Sequence, residues 1–161
     1  MTEQAIGHVE RQGDTYSLVM EREYPVPLEE VWAALTEPEK LEAWLGTVAI
    51  NARVGGSFEI DFDGEDQAGG KILRFEPPHA LQFEWGETGV SSTVLFELRE
   101  TSGGTQLRLT HARQSIEQAS RTGAGWHAHL DLFEAALVGQ SVEWDDAYAV
   151  AKPLYVGSVG A

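Results

Sequence analysis

The chain has 161 residues, a formal net charge of −15 from 26 acidic and 11 basic residues, and no cysteine. This length suits one domain around one core, and 42% hydrophobic with 23% charged residues is a globular composition. Phosphate backbones and anionic membrane surfaces would repel so acidic a surface, so we expect no nucleic-acid partner. No apolar run approaches the roughly 18 residues of a membrane span, so we expect no membrane insertion.

The absence of cysteine excludes disulfides, thiolate metal sites and a cysteine nucleophile. The first four residues have neither a basic start nor an apolar core, so we do not expect a signal peptide. These two features together fit a cytoplasmic protein.

Residues 1–14 are polar, and we expect them to form a flexible N-terminal arm. Apolar and polar residues alternate over residues 15–24, which predicts a first strand that ends at Pro25. Two short helices should follow, the first opening near Pro27 and the second covering residues 38–44. Thr36 and Glu39 have the spacing of a capping box for the second helix.

After Gly46 the pattern changes to alternation with period two. Short strands joined by polar or glycine-rich turns predict an antiparallel meander, with a polar turn over residues 63–70. The predicted strands are centred on residues 58–62, 71–75, 81–85, 94–99 and 106–111.

A long helix is predicted over residues 122–138. Trp126, Leu130, Phe133 and Leu137 recur at i, i+4, i+7 and i+11 and form one apolar stripe. A last helical piece, capped by Ser141 and ending near Pro153, should follow, and residues 157–161 should form a tail.

This order of elements predicts an α+β fold in which a curved antiparallel sheet wraps the C-terminal helix. The apolar face of the sheet must be covered, and a twisted sheet curves away from a straight helix. The two short helices can close one end of the gap. Large inward rings could line a cavity for an apolar or amphipathic small molecule, or they could fill a solid core, and the pattern leaves both interpretations open.

The first half of the chain resembles one known family. EYPVPLEEVW at residues 23–32, followed by LTEP at residues 35–38, is similar to the opening of the START-like (SRPBCC) superfamily. The closer similarity is to the branch named after the C-terminal domain of the activator of Hsp90 ATPase. VGGSF at residues 54–58 resembles the glycine pair that precedes an aromatic strand in that branch.

The second half of the chain extends this resemblance. GKI at residues 70–72, the proline pair at 77–78 and LQFEW at 81–85 resemble the central hairpin of the branch. GW at residues 125–126 followed by Leu130 resembles its final-helix motif. The order and spacing of these segments are specific, although each alone is weak.

The resemblance covers residues 15–155 and implies a helix-grip (START/Bet v 1-like) fold, with a single domain over residues 15–156 and a deep pocket between sheet and helix. It does not fix the function, since the superfamily contains carriers, receptors and enzymes. We expect the cavity to be lined by twelve residues: Arg22, Trp44, Phe58, Ile60, Phe62, Phe83, Trp85, Phe96, His111, Trp126, His129 and Phe133.

Three of these residues carry polar chemistry. Arg22 stands at one of the alternate positions of its strand that face inward. Its charge there needs a carboxylate or an anionic ligand group, unless the side chain reaches water at the strand end. His111 and His129 could be polar contacts or proton-transfer groups in the pocket, or hydrogen-bonded histidines at the edge of the core.

We expect neither a metal nor a cofactor. His127 and His129 lie two positions apart on the predicted helix and point in different directions, whereas paired ligands on a helix lie three or four apart. The acidic run over residues 61–66 lacks the glycine and the final glutamate of a calcium loop, so we interpret it as a solvated turn.

Three functions remain open from the sequence. The first is a lipid- or polyketide-binding module, and the second is a cyclase or hydrolase that uses Arg22, His111, His129 or Tyr24 as acid, base or anion contact. The third is a chaperone-interacting domain, although we do not expect an Hsp90-type partner, because the chain lacks the separate N-terminal domain of the eukaryotic co-chaperone. A homodimer through a strand edge or the C-terminal piece also stays open.

Overall fold

The computed structural model describes residues 7–62, 66–87 and 90–155, and it describes only the backbone of residues 62, 66–67, 87, 90–91, 116–121 and 154–155. The predicted tail and the first six residues of the predicted arm lie outside this range. In chain order the elements are β1 (His8–Gln12), β2 (Thr15–Tyr24), α1 (Leu28–Thr36), α2 (Pro38–Leu41), β3 (Thr47–Ile50), β4 (Ser57–Phe62), β5 (Asp66–Glu76), β6 (Ala80–Glu87), β7 (Val90–Thr101), β8 (Gly104–Gln114), α3 (Ile116–Leu137) and α4 (Trp144–Tyr155).

The strands form one antiparallel sheet in the order β1-β2-β8-β7-β6-β5-β4-β3. Helix α3 packs on the inner face of this sheet against β2 and β8, while α1 and α2 follow the first long strand. This arrangement confirms the predicted α+β helix-grip fold. Among the described residues, no helix combines the length and the apolar character needed to cross a bilayer.

The sheet is bent by register shifts in two long strands. β2 shifts register against β8 between Tyr16 and Leu18, and β5 shifts against β6 between Ile72 and Arg74. A bulge of this kind bends its strand and increases the local twist, so the sheet curves around α3. The alternating inward residues are buried on the concave face, among them Leu18, Met20, Val94, Phe96, Leu107 and Leu109.

Both edge strands are absent from the sequence prediction. β1 occupies residues predicted as a flexible arm, and it pairs with β2 from His8↔Val19 to Gln12↔Thr15. The prediction failed there because Val9 is the only apolar residue among five, so the strand is formed by backbone pairing with almost no side-chain pattern. β3 has four residues, of which Val48 alone is fully buried, and it extends the sheet beyond β4.

The predicted capping box is wrong. Thr36 is the last residue of α1, and its hydroxyl donates to the Trp32 carbonyl one turn earlier, at 2.9 Å. A threonine bonded back to residue i−4 cannot cap the next helix. Glu37 is the N-cap of α2 without a side-chain bond, and α2 ends at Leu41, earlier than predicted.

Three other boundaries differ from the prediction. α3 begins at Ile116, ahead of the predicted start, since its first turns lack the apolar periodicity that marks the rest. β5 begins at Asp66, so part of the predicted turn is strand. α4 starts after Ser141 and includes Pro153, whose ring was expected to end it.

The turn between β7 and β8 offers a matched test of the fold. Gly104 has φ of 152°, and a Cβ there would overlap the carbonyl oxygen of Tyr24, whereas a Cβ on Gly103 would meet nothing within 4 Å. We expect Gly104→Ala to lower the free energy of unfolding by about 3 kcal/mol or more, because strain and overlap add. Gly103→Ala should change it by no more than about 0.5 kcal/mol. Urea denaturation measures both, and equal losses would contradict this account of the turn.

Candidate ligand-binding site

The interior between the sheet and α3 is rich in aromatic rings. The sheet contributes Phe58, Phe83, Trp85 and Phe96, and each ring is at least nine-tenths buried. Helix α3 contributes Trp126 and Phe133, and Trp44 enters from the segment after α2. These rings, which the sequence predicted to point inward, lie in one interior together with the buried Ile60. The side chain of Phe62 lies outside the described residues.

These rings touch one another directly. Phe58 and Phe83 stack with centroids 4.1 Å apart, and Trp44 meets Phe133 edge-on at 4.8 Å. Trp85 and Trp126 join the sheet to α3 with centroids 5.3 Å apart. In this conformation the rings occupy the interior, as in the solid-core interpretation.

The surface cavities formed by described residues lie elsewhere. One of ≈ 630 Å³ runs along β3, β4 and β5, where the exposed Thr47, Ala49 and Glu59 line it. Another of ≈ 530 Å³ lies over β7 and β8, beside Glu97 and Arg108. Neither is lined by the predicted aromatic residues of the interior.

His111 belongs to a buried chain of hydrogen bonds. The indole Nε1–H of Trp126 can only donate, and it donates to His111 Nδ1 at 3.0 Å. The neutral ring therefore carries its proton on Nε2, which donates to Ser92 Oγ at 2.8 Å. The Ser92 hydroxyl in turn donates to the Trp85 carbonyl at 3.1 Å. Every donor in this chain has an acceptor, and the tautomer of His111 is fixed.

The same burial sets the charge of His111. Removal from water lowers the pKa of His111 from 6.5 to about 3, because the charged ring would lose its hydration. A proton on Nδ1 would also break the bond from Trp126. His111 is thus a neutral residue that ties β7 and β8 to α3.

His129 lies on the other flank of α3 and is half-buried. Its Nδ1–H donates to the Trp44 carbonyl at 2.9 Å, which holds the segment after α2 against α3. Burial lowers the pKa of His129 to about 4, and the bond to Trp44 opposes that shift. The ring also packs against Trp144 of α4, with centroids 4.4 Å apart.

Arg22 forms a third polar group with two residues of α3. Its side chain is fully buried, and Nη1 donates to Asp131 Oδ1 at 3.2 Å. The other oxygen of Asp131 lies 3.7 Å from His127 Nε2, one helical turn away. Burial and the nearby Arg22 lower the pKa of His127, while Asp131 opposes the shift.

The polar residues named from the sequence therefore do not converge. Arg22, His111 and His129 belong to separate hydrogen-bonded groups, each joining the sheet or the α2 segment to α3. Sequence reasoning missed Ser92 and Asp131 as partners. The spacing of Asp131, four positions after His127 on the predicted helix, could have indicated this pair. Nothing in the sequence marks Ser92 as a partner of His111. Among the described residues, no three His, Asp or Glu side chains form a metal-binding group.

Comparison with known proteins identifies the family. A family model described as "Activator of Hsp90 ATPase homolog 1-like protein" matches residues 25–138. The chain belongs to this family. It is therefore a helix-grip domain of the START-like (SRPBCC) superfamily, and the resemblance stated from the sequence is confirmed. No curated protein matches the chain.

Several solved structures are similar to this family member. CalU16 from Micromonospora echinospora is 28% identical, with a TM-score of 0.78 over 99% of this chain and 98% of that one. The protein encoded by BPP1335 of Bordetella parapertussis is 30% identical, with a TM-score of 0.72 over 97% of this chain and 94% of that one. DynU16, a protein in the dynemicin biosynthetic locus, is 23% identical, with a TM-score of 0.72 over 80% of this chain and 48% of that one, which shows the fold alone.

The neutral state of His111 predicts a specific loss of stability in acid. The unfolded state gains a proton on this ring below pH 6.5, but the folded state gains it only near pH 3, so the stabilisation is complete above pH 6.5 and is lost as the pH falls. His111→Asn should be less stable at pH 7, and its free energy of unfolding should fall less steeply between pH 6.5 and pH 4. In this range the slope of the free energy of unfolding against pH should be smaller for His111→Asn than for the wild type, by about 1.4 kcal/mol per pH unit.

Urea denaturation at several pH values measures these slopes. His8→Asn, which removes an exposed histidine on β1, is the matched control. Parallel curves for the wild type and His111→Asn would contradict the assignment of a buried neutral ring.

Proposed function

We propose that this protein binds one apolar or amphipathic small molecule, of a lipid- or polyketide-like class, among the aromatic rings between the sheet and α3. The observation that carries this proposal is the composition of that interior, where large rings surround a few buried polar groups. Ligand sites of proteins are lined mostly by apolar and aromatic side chains, with a small number of polar groups. The family to which the chain belongs supports the same proposal.

A ligand can enter this interior only if the aromatic rings move apart. Most contacts are edge-on or tilted, such as Trp44–Phe96 at 86° and Phe96–Trp126 at 81°. Rotation of a flat side chain about its own bonds turns an edge-on contact into a slot without moving the backbone. A planar or flexible apolar ligand would then replace ring–ring contacts by ring–ligand contacts of similar energy.

Helix α4 is the element that we propose to cover the entrance. Trp144 is 36% exposed, stacks on Tyr148 at 5.6 Å and covers His129. His129 in turn lies 5.7 Å from Trp126, so aromatic rings lead from the surface into the interior.

The packing of α4 supports a mobile cover. Its main contacts are with α3, and the described residues that it buries fully are Ala147 and Ala151. Ala147 and Ala151 remove little apolar surface from water, and Trp144 and Tyr148 stay partly exposed, so the described side chains of α4 include no fully buried large apolar residue. Gly139, in the left-handed region with φ of 73°, precedes α4 in the connecting segment.

Binding is better supported than catalysis. A cyclase or hydrolase would need an acid or a base that can exchange a proton with its substrate, and the histidines are the side chains best suited to that role near neutral pH. Both ring nitrogens of His111 are engaged by Trp126 and Ser92, which leaves neither to exchange a proton with a ligand. We therefore propose a binding role for the interior.

The direct test is titration with a neutral probe, methyl naphthalene-2-carboxylate. We expect the probe to quench or shift the tryptophan fluorescence, because three of the five tryptophans line the interior, and to raise the melting temperature in proportion to the logarithm of its concentration. A crystal structure of the complex should show the probe beside Trp126. No response in either assay, or a probe bound only along β3–β5, would contradict the proposal.

Loss of the contact between Trp144 of α4 and His129 gives a kinetic test of the entrance. Trp144→Ala should raise the association rate of the same probe roughly tenfold, because opening no longer requires the Trp144–His129 contact to break. Val150→Ala, at a 65% exposed position on the same helix, is the control and should leave the rate unchanged. Stopped-flow fluorescence measures both rates, and equal rates for Trp144→Ala and the wild type would place the entrance elsewhere.

A further inference from the structure

Two neighbouring inward residues of β2 present buried hydrogen-bond donors with no acceptor. Arg22 is 3% exposed and Tyr24 is 1% exposed. Within the described part of the chain, Arg22 Nε and Nη2 and the Tyr24 hydroxyl have no hydrogen-bond partner. An unsatisfied buried donor lowers the stability of the fold, and lowers it more when it is charged. A fold retains such groups at a cost in stability, and function is one reason for it to do so.

The ion pair of Arg22 leaves most of the guanidinium unused. Asp131 accepts from Nη1 alone, at 3.2 Å, although a carboxylate can engage two nitrogens of an arginine at once. The Asp131 side chain is 26% exposed and therefore solvated by water, whereas the Arg22 side chain is fully buried. Asp131 thus compensates the charge of Arg22 incompletely and from one side.

The unused donors have a definite geometry. Nε–H and the adjacent Nη2–H are nearly parallel on one edge of the planar guanidinium, at the spacing of the two oxygens of a carboxylate. The two guanidinium nitrogens can only donate and the Tyr24 hydroxyl can donate, so an acceptor would satisfy them and, beside a buried positive charge, an anionic acceptor suits them best.

Tyr24 adds a donor to the same region. Burial raises the pKa of Tyr24, and the nearby Arg22 partly offsets that shift, so the hydroxyl keeps its proton and remains a donor. Glu134 and Asp131 are close enough to raise the Tyr24 pKa further. The ring of Tyr24 packs edge-on against Phe133 at 5.3 Å, and Phe133 contacts Trp44 at 4.8 Å. The donors therefore lie at one end of the aromatic interior.

We propose that the Nε–Nη2 edge of Arg22, assisted by the hydroxyl of Tyr24, binds the carboxylate of an amphipathic ligand. The apolar body of that ligand lies against Phe133 and Trp44. This inference rests on the proposed function, since it assigns the polar end of a molecule held in the same interior. It narrows the ligand class to acids with an aromatic or acyl body.

The test compares two probes by isothermal titration, the anion naphthalene-2-carboxylate and its neutral methyl ester, which share the same apolar ring system and differ in charge and by one methyl group. The wild type should bind the acid roughly 10- to 100-fold more tightly than the ester. Arg22→Met keeps the length and apolar character of the side chain but removes the charge, so it should lose this preference and keep the affinity for the ester. Tyr24→Phe should weaken acid binding by up to about tenfold. Arg108→Met, at an exposed position on β8, should leave both affinities unchanged.

The outcomes separate the two proposals. Equal affinity of the wild type for acid and ester, or an acid preference that survives in Arg22→Met, would overturn the carboxylate site and leave the proposed function standing. Failure of the wild type to bind either probe would overturn both.

A second measurement needs no variant and covers the case in which Arg22→Met does not fold. Carbon-13 NMR of carboxyl-labelled naphthalene-2-carboxylate reports the pKa of the bound acid. A guanidinium partner should hold that pKa below the value in water. A bound pKa above the value in water would mean that the acid enters as a neutral molecule, and would overturn the proposal.

Discussion

The packing of one helix stripe against a bent sheet determines the rest of this structure. Trp126, Leu130 and Phe133 on α3 are almost completely buried against rings from β6 and β7. These contacts combine a large apolar area with few alternative arrangements, because each ring must fit between the strands and the helix. The bulges in β2 and β5 let the sheet bend around the helix, and the short helices after β2 close one end. This packing brings Arg22 and His111 of the sheet to their partners on α3.

The interior polar groups differ in how completely they are satisfied. His111 is fully paired by Ser92 and Trp126, so it strengthens the contact between sheet and helix without any ligand. Arg22, whose partner Asp131 lies five residues after Trp126 on α3, retains unused donors. The contrast matters because both residues lie in the same apolar surroundings, where an unpaired polar group is costly and a paired one is not. The hydrogen bonds of His111 are therefore complete as folded, whereas those of Arg22 are not.

Sequence patterns predicted the parts of this fold that depend on side-chain periodicity. Alternation placed Phe83 and Trp85 on the inner face, and helical spacing placed Trp126 and Phe133 opposite them. The patterns could not decide whether space remains between the rings, because ring orientation depends on contacts between distant segments. The same limit concealed the pairing of Ser92 with His111, nineteen residues apart in sequence. β1 was missed since its residues join the sheet through backbone bonds, which leave no trace in side-chain hydrophobicity.

The two edge strands of the sheet, β1 and β3, also affect whether copies of this chain associate. β3 offers only four residues of open backbone, and β1 carries His8, Glu10 and Arg11 along its exposed length. A short margin gives an approaching strand few hydrogen bonds, and charged side chains must lose water before a second strand can dock. With a net charge of −15, neighbouring molecules also repel at long range. The fold thus resists growth into stacked fibrils, even though its eight-stranded sheet has two edges at which further strands could pair.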